Sequence, residues 1–244
     1  MASFKLSLSL ISAAALLAAC GGSDPVNGSL IDAPSTLATL TKAQLDASGL
    51  IALSGPAKCD VKLVSLNYVT PGAKGESSNA SGVLLLPTGA GCTAAAPLVA
   101  YAKGTDVQKP RTLANPLDGE TGLLAAMYAG QGYAVVATDY LGYAKSSYSY
   151  HPYLHADSEA TSVIDSIRAA RNAVASQGAS LNGKVMLALL FQQPSDQKGG
   201  VILIGPQGLC GAGIDQHDLG RHFSAGPTRV TWPILRPSRA SRLP

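Results

Sequence analysis

Three short runs of consecutive apolar residues constrain the fold of this chain more than any other feature. They occupy residues 98–102, 133–137 and 185–190. Runs of this length and composition are typical of strands buried on both faces of a sheet. Apolar residues at helical spacing separate them and predict helices at about residues 120–129 and 157–175. Strands that alternate with helices in this way predict an α/β sheet with right-handed crossovers.

Two further strands precede this alternating part. Val64, Leu66 and Tyr68 alternate with polar residues, as on a half-buried strand, and residues 82–86 predict a second strand that ends before Pro87. The two are expected to pair with each other. The predicted fold class is therefore α/β, with antiparallel strands followed by a strand-helix-strand-helix-strand unit.

An active site in such a sheet lies beyond the carboxyl ends of the strands. In this sequence that rule selects three segments: residues 103–106, residues 139–146, and whatever follows residue 190. These are the places where side chains that carry chemistry are expected.

The N-terminus is typical of an exported protein. Lys5 supplies a positive charge, and the apolar run of residues 6–19 is too short to span a bilayer as a permanent helix. The run ends at Cys20, followed by Gly21, and resembles the lipobox at which lipoprotein signal peptidase cuts and the cysteine is acylated. The resemblance implies lipidation of Cys20 and a location in the cell envelope. An ordinary secretory peptide with a chance cysteine is the alternative.

These features divide the chain into four parts. Residues 1–19 are the predicted signal peptide, and residues 20–35, rich in Gly, Ser, Pro and Asn, are a predicted flexible tether. The length of residues 20–244 suits one domain with a single core, and residues 36–189 are its predicted folded part. Residues 190–244 form an atypical tail. No second apolar stretch in the sequence could cross a membrane.

Export to an oxidising compartment makes a disulfide plausible. Cys59 and Cys92 are the predicted pair, because they flank the two antiparallel strands and should come together at their ends. Connectivity does not follow from sequence alone, so an unpaired structural thiol remains the alternative for each cysteine, Cys210 included.

Three segments resemble the α/β-hydrolase superfamily, in particular bacterial secreted lipases and esterases. They are PLVAYAKGT at residues 97–105, GQGYAVVATDYLG at residues 130–142 and HPYL at residues 151–154. The match extends from about residue 59 to residue 188. It implies a serine hydrolase that acts on a small-molecule carboxylic ester, without a cofactor or a metal.

The resemblance assigns a role to the segment of Lys103, Gly104 and Thr105. In the family, this loop contributes a backbone N–H to the oxyanion hole, which stabilises charge on the substrate carbonyl in the transition state. Most relatives carry His at the position of Lys103, so the side-chain support of the loop differs in this chain. A simple tight turn at Gly104 and Thr105 is the alternative.

Other polar residues near the predicted site are expected to be structural. The resemblance places Asp139 in a loop that borders the active site, where it satisfies backbone donors and takes no part in the catalytic triad. His151 and His155 precede the second long helix. Loop hydrogen bonds are the more frequent use of histidines in such a position, so neither is predicted to be catalytic.

The nucleophile of a serine hydrolase is not recognisable. The family places it on a Gly-x-Ser-x-Gly elbow after the strand at residues 185–190, where the glycines permit a strained turn. The sequence there is LLFQQPS at residues 189–195, and no Gly-x-Ser-x-Gly occurs elsewhere. Ser195 is the nearest serine, but Pro194 and Asp196 flank it where the elbow needs small residues. The catalytic residues therefore remain unknown.

The composition also changes at this point. The formal net charge of +3 belongs entirely to residues 190–244, and residues 221–244 contain five Arg, four Pro and no acidic residue. We interpret the tail as out-of-frame translation of a GC-rich gene from about Leu190 onward. A native basic tail that binds an anionic membrane is the competing interpretation. Nucleic-acid binding is not predicted, because the arginines form no compact patch.

Metal and phosphate sites are not predicted either. Asp215, His217, Asp218 and His222 lie close together, but their spacing matches no standard zinc motif. The glycine-rich residues 205–213 lack the Lys-Ser/Thr ending of a phosphate-binding loop.

Two functional hypotheses remain. The first is a membrane-anchored lipoprotein of the carboxylic ester hydrolase lineage, truncated or frameshifted and inactive with this sequence. The second is a non-catalytic envelope lipoprotein that keeps half of a hydrolase sheet as a binding module.

Overall fold

The computed structural model describes four ranges of the chain, residues 26–92, 94–104, 106–191 and 200–204. For residues 189–191 and 200–204 it describes the backbone. Several residues of the sequence analysis lie outside these ranges, namely Cys20, Thr105, Ser195, Cys210, Asp215, His217, Asp218 and His222.

The described chain forms one mixed sheet of seven strands. The strands are β1 (Ser35–Leu40), β2 (Asp60–Pro71), β3 (Ser77–Thr88), β4 (Ala96–Ala102), β5 (Ala134–Thr138), β6 (Leu181–Phe191) and β7 (Gly200–Ile204). Their order across the sheet is β1-β2-β3-β5-β4-β6-β7. The crossovers from β4 to β5 and from β5 to β6 each contain a helix, which confirms the predicted α/β class.

The sheet combines an antiparallel half with a parallel half. The register of β2 and β3 runs without interruption from Asp60 opposite Thr88 to Pro71 opposite Ser77, which confirms the predicted strand pair. Strand β4 lies between β5 and β6 and is parallel to both. The three apolar runs therefore form neighbouring strands, and the carboxyl ends of these strands meet at one edge.

In the described part of the chain, four α-helices accompany the sheet: α1 (Lys42–Ala47), α2 (Ile51–Ser54), α3 (Gly119–Met127) and α4 (Ala156–Ala173). Asp118 caps α3 by accepting hydrogen bonds from the N–H groups of Glu120 and Thr121, which satisfies two of its free donors. The two helices predicted from apolar spacing are present. Both end about two residues earlier than predicted, and each is followed by a short 3₁₀ turn.

Alternating residues of each strand build two cores, one on each face of the sheet. Val64, Leu66 and Tyr68 of β2 pack toward α4, together with Ile167 and Ala170 of that helix. Residues one position out of phase pack on the opposite face, among them Leu63 and Val83 with Leu124 of α3 and Leu45 of α1. Helices α3 and α4 therefore cover opposite faces, as period-two alternation in a strand requires.

The last strand was not predicted. Strand β7 pairs antiparallel with β6, from Leu187 opposite Ile204 to Phe191 opposite Gly200. It falls within residues 190–244, which the sequence analysis assigned to an atypical tail. Residues 192–199 and 205–244, the greater part of the predicted tail, lie outside the described residues.

The folded part begins earlier than residue 36, where the sequence analysis placed its start. The N–H of Gly28 donates to the Val69 carbonyl at 2.8 Å, and the N–H of Ile31 donates to the Asn67 carbonyl at 2.9 Å. Asn172 of α4 donates its side-chain amide to the Gly28 carbonyl at 3.1 Å. A polar composition resembles that of a linker, but these backbone groups extend the antiparallel edge of the sheet. The predicted tether at 20–35 is therefore too long at its C-terminal end.

Cys59 and Cys92 form a disulfide, with their Cα atoms 5.8 Å apart. Cys59 directly precedes β2 and Cys92 follows β3, so the bond closes the end of this strand pair opposite its turn. We expect the peptides that contain these cysteines to remain linked under non-reducing digestion and to separate, each gaining one alkyl group, after reduction. Free thiols at both positions without reductant would contradict the pairing.

Candidate active site

The loops that follow β4 and β5 come together at the carboxyl edge of the sheet. The Tyr143 hydroxyl donates to the backbone carbonyl of Asp106, and the N–H of Ala144 donates to the Lys109 carbonyl at 2.8 Å. Two of the three segments selected from the sequence are thus adjacent. Of the third, the residues directly after β6, 192–199, lie outside the described residues.

Asp139 directly follows β5 and is completely buried. Its carboxylate accepts hydrogen bonds from the hydroxyls of Ser81 and Thr112 and from the N–H of Leu113, at 2.7, 2.9 and 2.7 Å. Burial raises the pKa of Asp139, although these three hydrogen bonds act in the opposite direction. The carboxylate therefore fastens the loop after β4 to β3 and β5, in agreement with the structural role that the resemblance implied.

Lys103, the residue that replaces the family's histidine, has a buried ammonium group. Its side chain is 1% exposed, and its Nζ lies 3.3 Å from Asp106 Oδ2. The same Nζ lies 4.2 Å from the centre of the Tyr143 ring, in cation–π contact. A buried charge is tolerated only when it is paired, so Lys103 and Asp106 depend on each other.

Asp106 anchors the start of the loop. Desolvation alone would raise the pKa of Asp106, but the N–H of Gln108, the charge of Lys103 and the N–H of Val107 outweigh it and lower the pKa to about 2. Arg111 adds a second cation, with its Nη1 3.0 Å from Asp106 Oδ2. The carboxylate is therefore ionised at neutral pH and joins two cations to two backbone donors.

Arg111 extends this network to helix α3. Its guanidinium binds Asp118 at 3.2 Å and Glu120 at 2.8 Å, in addition to Asp106. Glu120 in turn accepts a hydrogen bond from the Tyr101 hydroxyl of β4 at 2.6 Å. The network ties the loop after β4 to both the strand that precedes it and the helix that follows it. Sequence analysis missed it, and the only available signal was the density of charges between residues 103 and 120.

The predicted oxyanion loop is described at Gly104, whereas Thr105 lies outside the described residues. Gly104 is half-buried and directly follows Lys103, whose side chain is buried. Within the described part of the chain, the N–H of Gly104 has no hydrogen-bond partner. A free N–H in a supported loop at the carboxyl edge of the sheet is what an oxyanion donor requires.

Both histidines near the site have structural contacts. His151 Nδ1 lies 3.0 Å from the Leu141 carbonyl, and its ring packs 4.7 Å from the centre of the Tyr143 ring. His155 caps α4, since its Nδ1 accepts from the N–H of Ser158 at 3.2 Å. These contacts agree with the prediction that neither histidine is catalytic.

Within the ranges that the structure describes, no three or more His, Cys, Asp or Glu side chains are grouped so that they could hold a metal ion. In the same part of the chain, no helix combines the length and the apolar character needed to cross a membrane.

Solved structures of other proteins resemble this fold. LipA of Xanthomonas oryzae, a rice cell wall degrading esterase, is 39% identical with a TM-score of 0.62, over 68% of this chain and 42% of LipA. A candidate hydrolase from Legionella pneumophila is 23% identical with a TM-score of 0.59, over 66% of this chain and 43% of its own. This chain thus spans less than half of the length of either protein. No protein-family model and no curated protein matches it.

The strand order, the helices on both faces and these likenesses define the class of protein. The described part of the chain has the α/β-hydrolase fold. Among these structures, the one from Xanthomonas oryzae resembles it in sequence as well as in fold, and that protein is an esterase.

Proposed function

We propose that this chain derives from an exported, lipid-anchored carboxylic ester hydrolase, and that with its present sequence it does not hydrolyse esters. The observation that carries the proposal is the 39% identity with the esterase LipA over 68% of the chain. The matched part amounts to 42% of LipA. The identity supports the reaction class and leaves the natural ester open.

The described site supports an esterase ancestry independently of that identity. The N–H of Gly104, at the carboxyl end of β4, has no hydrogen-bond partner among the described residues, and a donor that stabilises an oxyanion must lie at this end of the strand. The ion pairs of Asp106 with Lys103 and Arg111 hold this loop in place. Preorganised donors of this kind cost no rearrangement during reaction, so a loop built in this way fits acyl transfer.

The absence of an elbow sequence after β6 is the reason for expecting no turnover. A serine hydrolase needs a nucleophile, a histidine and an acid in mutual contact. In this sequence Pro194, Ser195 and Asp196 stand near the position of the elbow. An oxyanion donor without a nucleophile can bind a carbonyl but cannot cleave the ester.

An ester assay tests this expectation directly. Purified residues 21–244 should hydrolyse p-nitrophenyl butyrate no faster than buffer, because no nucleophile is in place. Ser195→Ala is the matched control for any residual rate. A rate well above buffer that Ser195→Ala abolishes would contradict the proposal that the catalytic triad is missing.

Resequencing the coding DNA around codons 184–195 tests the origin of the tail. If another reading frame continues residues 184–188 into a Gly-x-Ser-x-Gly elbow, the protein is a frameshifted esterase. The product of that frame should then hydrolyse the same ester. If no frame restores an elbow, the tail is native.

A non-catalytic envelope module is the second candidate function, and one observation favours it. The described part of the sheet has a buried core on each face, formed by residues of β2 to β6 together with α1, α3 and α4. A cooperative unfolding transition of the purified chain, without ester hydrolysis, is the expected result for such a module.

A further inference from the structure

The beginning of the folded part lies very close, along the chain, to the proposed lipid anchor. Cys20 and Val26 are six residues apart. A fully extended chain of this length spans about 20 Å. If Cys20 carries the lipid, as the proposed function requires, the surface around Val26 therefore cannot move far from the membrane.

The segment after Val26 is fixed to one side of the domain. Gly28 packs so closely on α4 that an added Cβ would lie 2.3 Å from Arg168 Cβ, and its carbonyl binds Asn172 at 3.1 Å. Further along, the Pro34 carbonyl accepts a hydrogen bond from the Gln177 side chain at 3.3 Å. The chain thus enters the fold beside the C-terminal half of α4, and the site of entry is rigidly defined.

The surface at this entry carries the groups expected at a lipid interface. Val26 is 72% exposed, which places an apolar side chain next to the tether. Arg168 is 40% exposed on its side chain, and Arg171 is exposed. Exposed arginines within a Debye length of anionic lipids are attracted to them. We call Val26, Arg168 and Arg171 the tether face.

The charges around the tether face do not oppose this attraction. The carboxylate of Asp165 is buried and paired with Arg168 at 2.6 Å. Asp32 is exposed, but Lys145 Nζ lies 4.0 Å from its carboxylate. Among the residues that the structure describes, Arg171 forms no ion pair.

We propose that the tether face rests against the membrane surface, so that α4 lies toward the lipid and α3 lies away from it. The partner is an anionic phospholipid bilayer. This inference depends on the lipid anchor of the proposed function, and it adds an orientation that the anchor alone does not specify.

Lipid-borne quenching of two attached fluorophores tests the orientation. One fluorophore is attached at Ala175→Cys, because Ala175 lies just after α4, is exposed and is distant in sequence from the anchor. The other is attached at Leu117→Cys, because Leu117 precedes α3 on the opposite face and is 93% exposed. Each variant is labelled in a full-length Cys210→Ser background and reconstituted in vesicles of phosphatidylethanolamine and phosphatidylglycerol with a headgroup nitroxide. We expect the label at position 175 to be quenched several-fold more strongly than the label at 117.

The acylation state of Cys20, measured by mass spectrometry of the N-terminal peptide, separates the two ways of failing. If Cys20 is acylated and both labels are quenched equally, or the label at 117 more strongly, the orientation is wrong and the anchor stands. If Cys20 carries no acyl chain in membranes, both the anchor and the orientation are wrong.

Discussion

Asp106→Asn is expected to destabilise the protein by about 3 kcal/mol at neutral pH, because it leaves a buried ammonium group without its carboxylate. The side chains of Lys103 and Asp106 are 1% and 6% exposed. Neither ion can recover hydration when its partner is lost, whereas Arg111 is 32% exposed and retains Asp118 and Glu120. Urea denaturation followed by circular dichroism measures the change.

The pH dependence of this loss provides a second measurement. The pKa of Asp106 is lowered to about 2 in the folded protein, below its unfolded value of about 3.9. The ionised carboxylate therefore contributes stability that is fully present above the unfolded pKa and is lost as the pH falls toward 2. The difference between the natural protein and Asp106→Asn should shrink over this interval.

A double variant distinguishes an unpaired charge from a general packing defect. Lys103→Met keeps most of the apolar stem but removes the ammonium group. Combined with Asp106→Asn, it should be more stable than Asp106→Asn alone, because no uncompensated buried charge remains. If the two losses simply add, the pairing of Lys103 with Asp106 is not the reason for the effect.

Gly142→Ala is expected to destabilise the protein by about 3 kcal/mol or more, since two separate costs act at one position. Gly142 has φ +80°, and a Cβ added there would lie 2.2 Å from the Tyr150 carbonyl carbon and 2.4 Å from the His151 nitrogen. Both contacts are with backbone, which cannot rotate away. The substitution should displace the loop that carries Tyr143 and His151.

Gly122→Ala is the matched control for Gly142→Ala. Gly122 lies within α3, and an added Cβ there meets nothing within 4 Å. Alanine is the better helix former, so we expect a gain of about 0.5–1 kcal/mol. The free energies of unfolding of the two variants should therefore change in opposite directions. If Gly142→Ala were as stable as the natural protein, the positive φ of Gly142 and its close packing on the backbone of Tyr150 and His151 would be contradicted.

The network around Arg111 shows why part of the site could not be predicted. Arg111 binds Asp106, Asp118 and Glu120, which lie five, seven and nine residues away in the sequence. Arg111 lies in a loop and belongs to no helix or strand, so no repeating pattern marks its partners. Their contact depends on how the loop folds back against α3.

The start of the folded part was misjudged for a related reason. Residues 20–35 have the composition of a linker, and composition reports on hydrophobic burial. The bonds from Gly28 and Ile31 to β2 are made by backbone groups, which every sequence possesses. Whether such groups find partners depends on an available sheet edge, which a local pattern does not reveal.

By itself, the sequence determined the elements whose side chains face a core: the buried strands β4, β5 and β6, the pair β2 and β3, and the helices α3 and α4. Burial imposes a period of two or 3.6 on apolar residues, and such periods can be counted. Only the tertiary structure decided that the buried Asp139 links the loop after β4 to the sheet, that Lys103 pairs with Asp106, and that the N-terminal segment lies along α4. These features rest on contacts between distant or backbone groups, whose partners are chosen by the packing of the whole sheet.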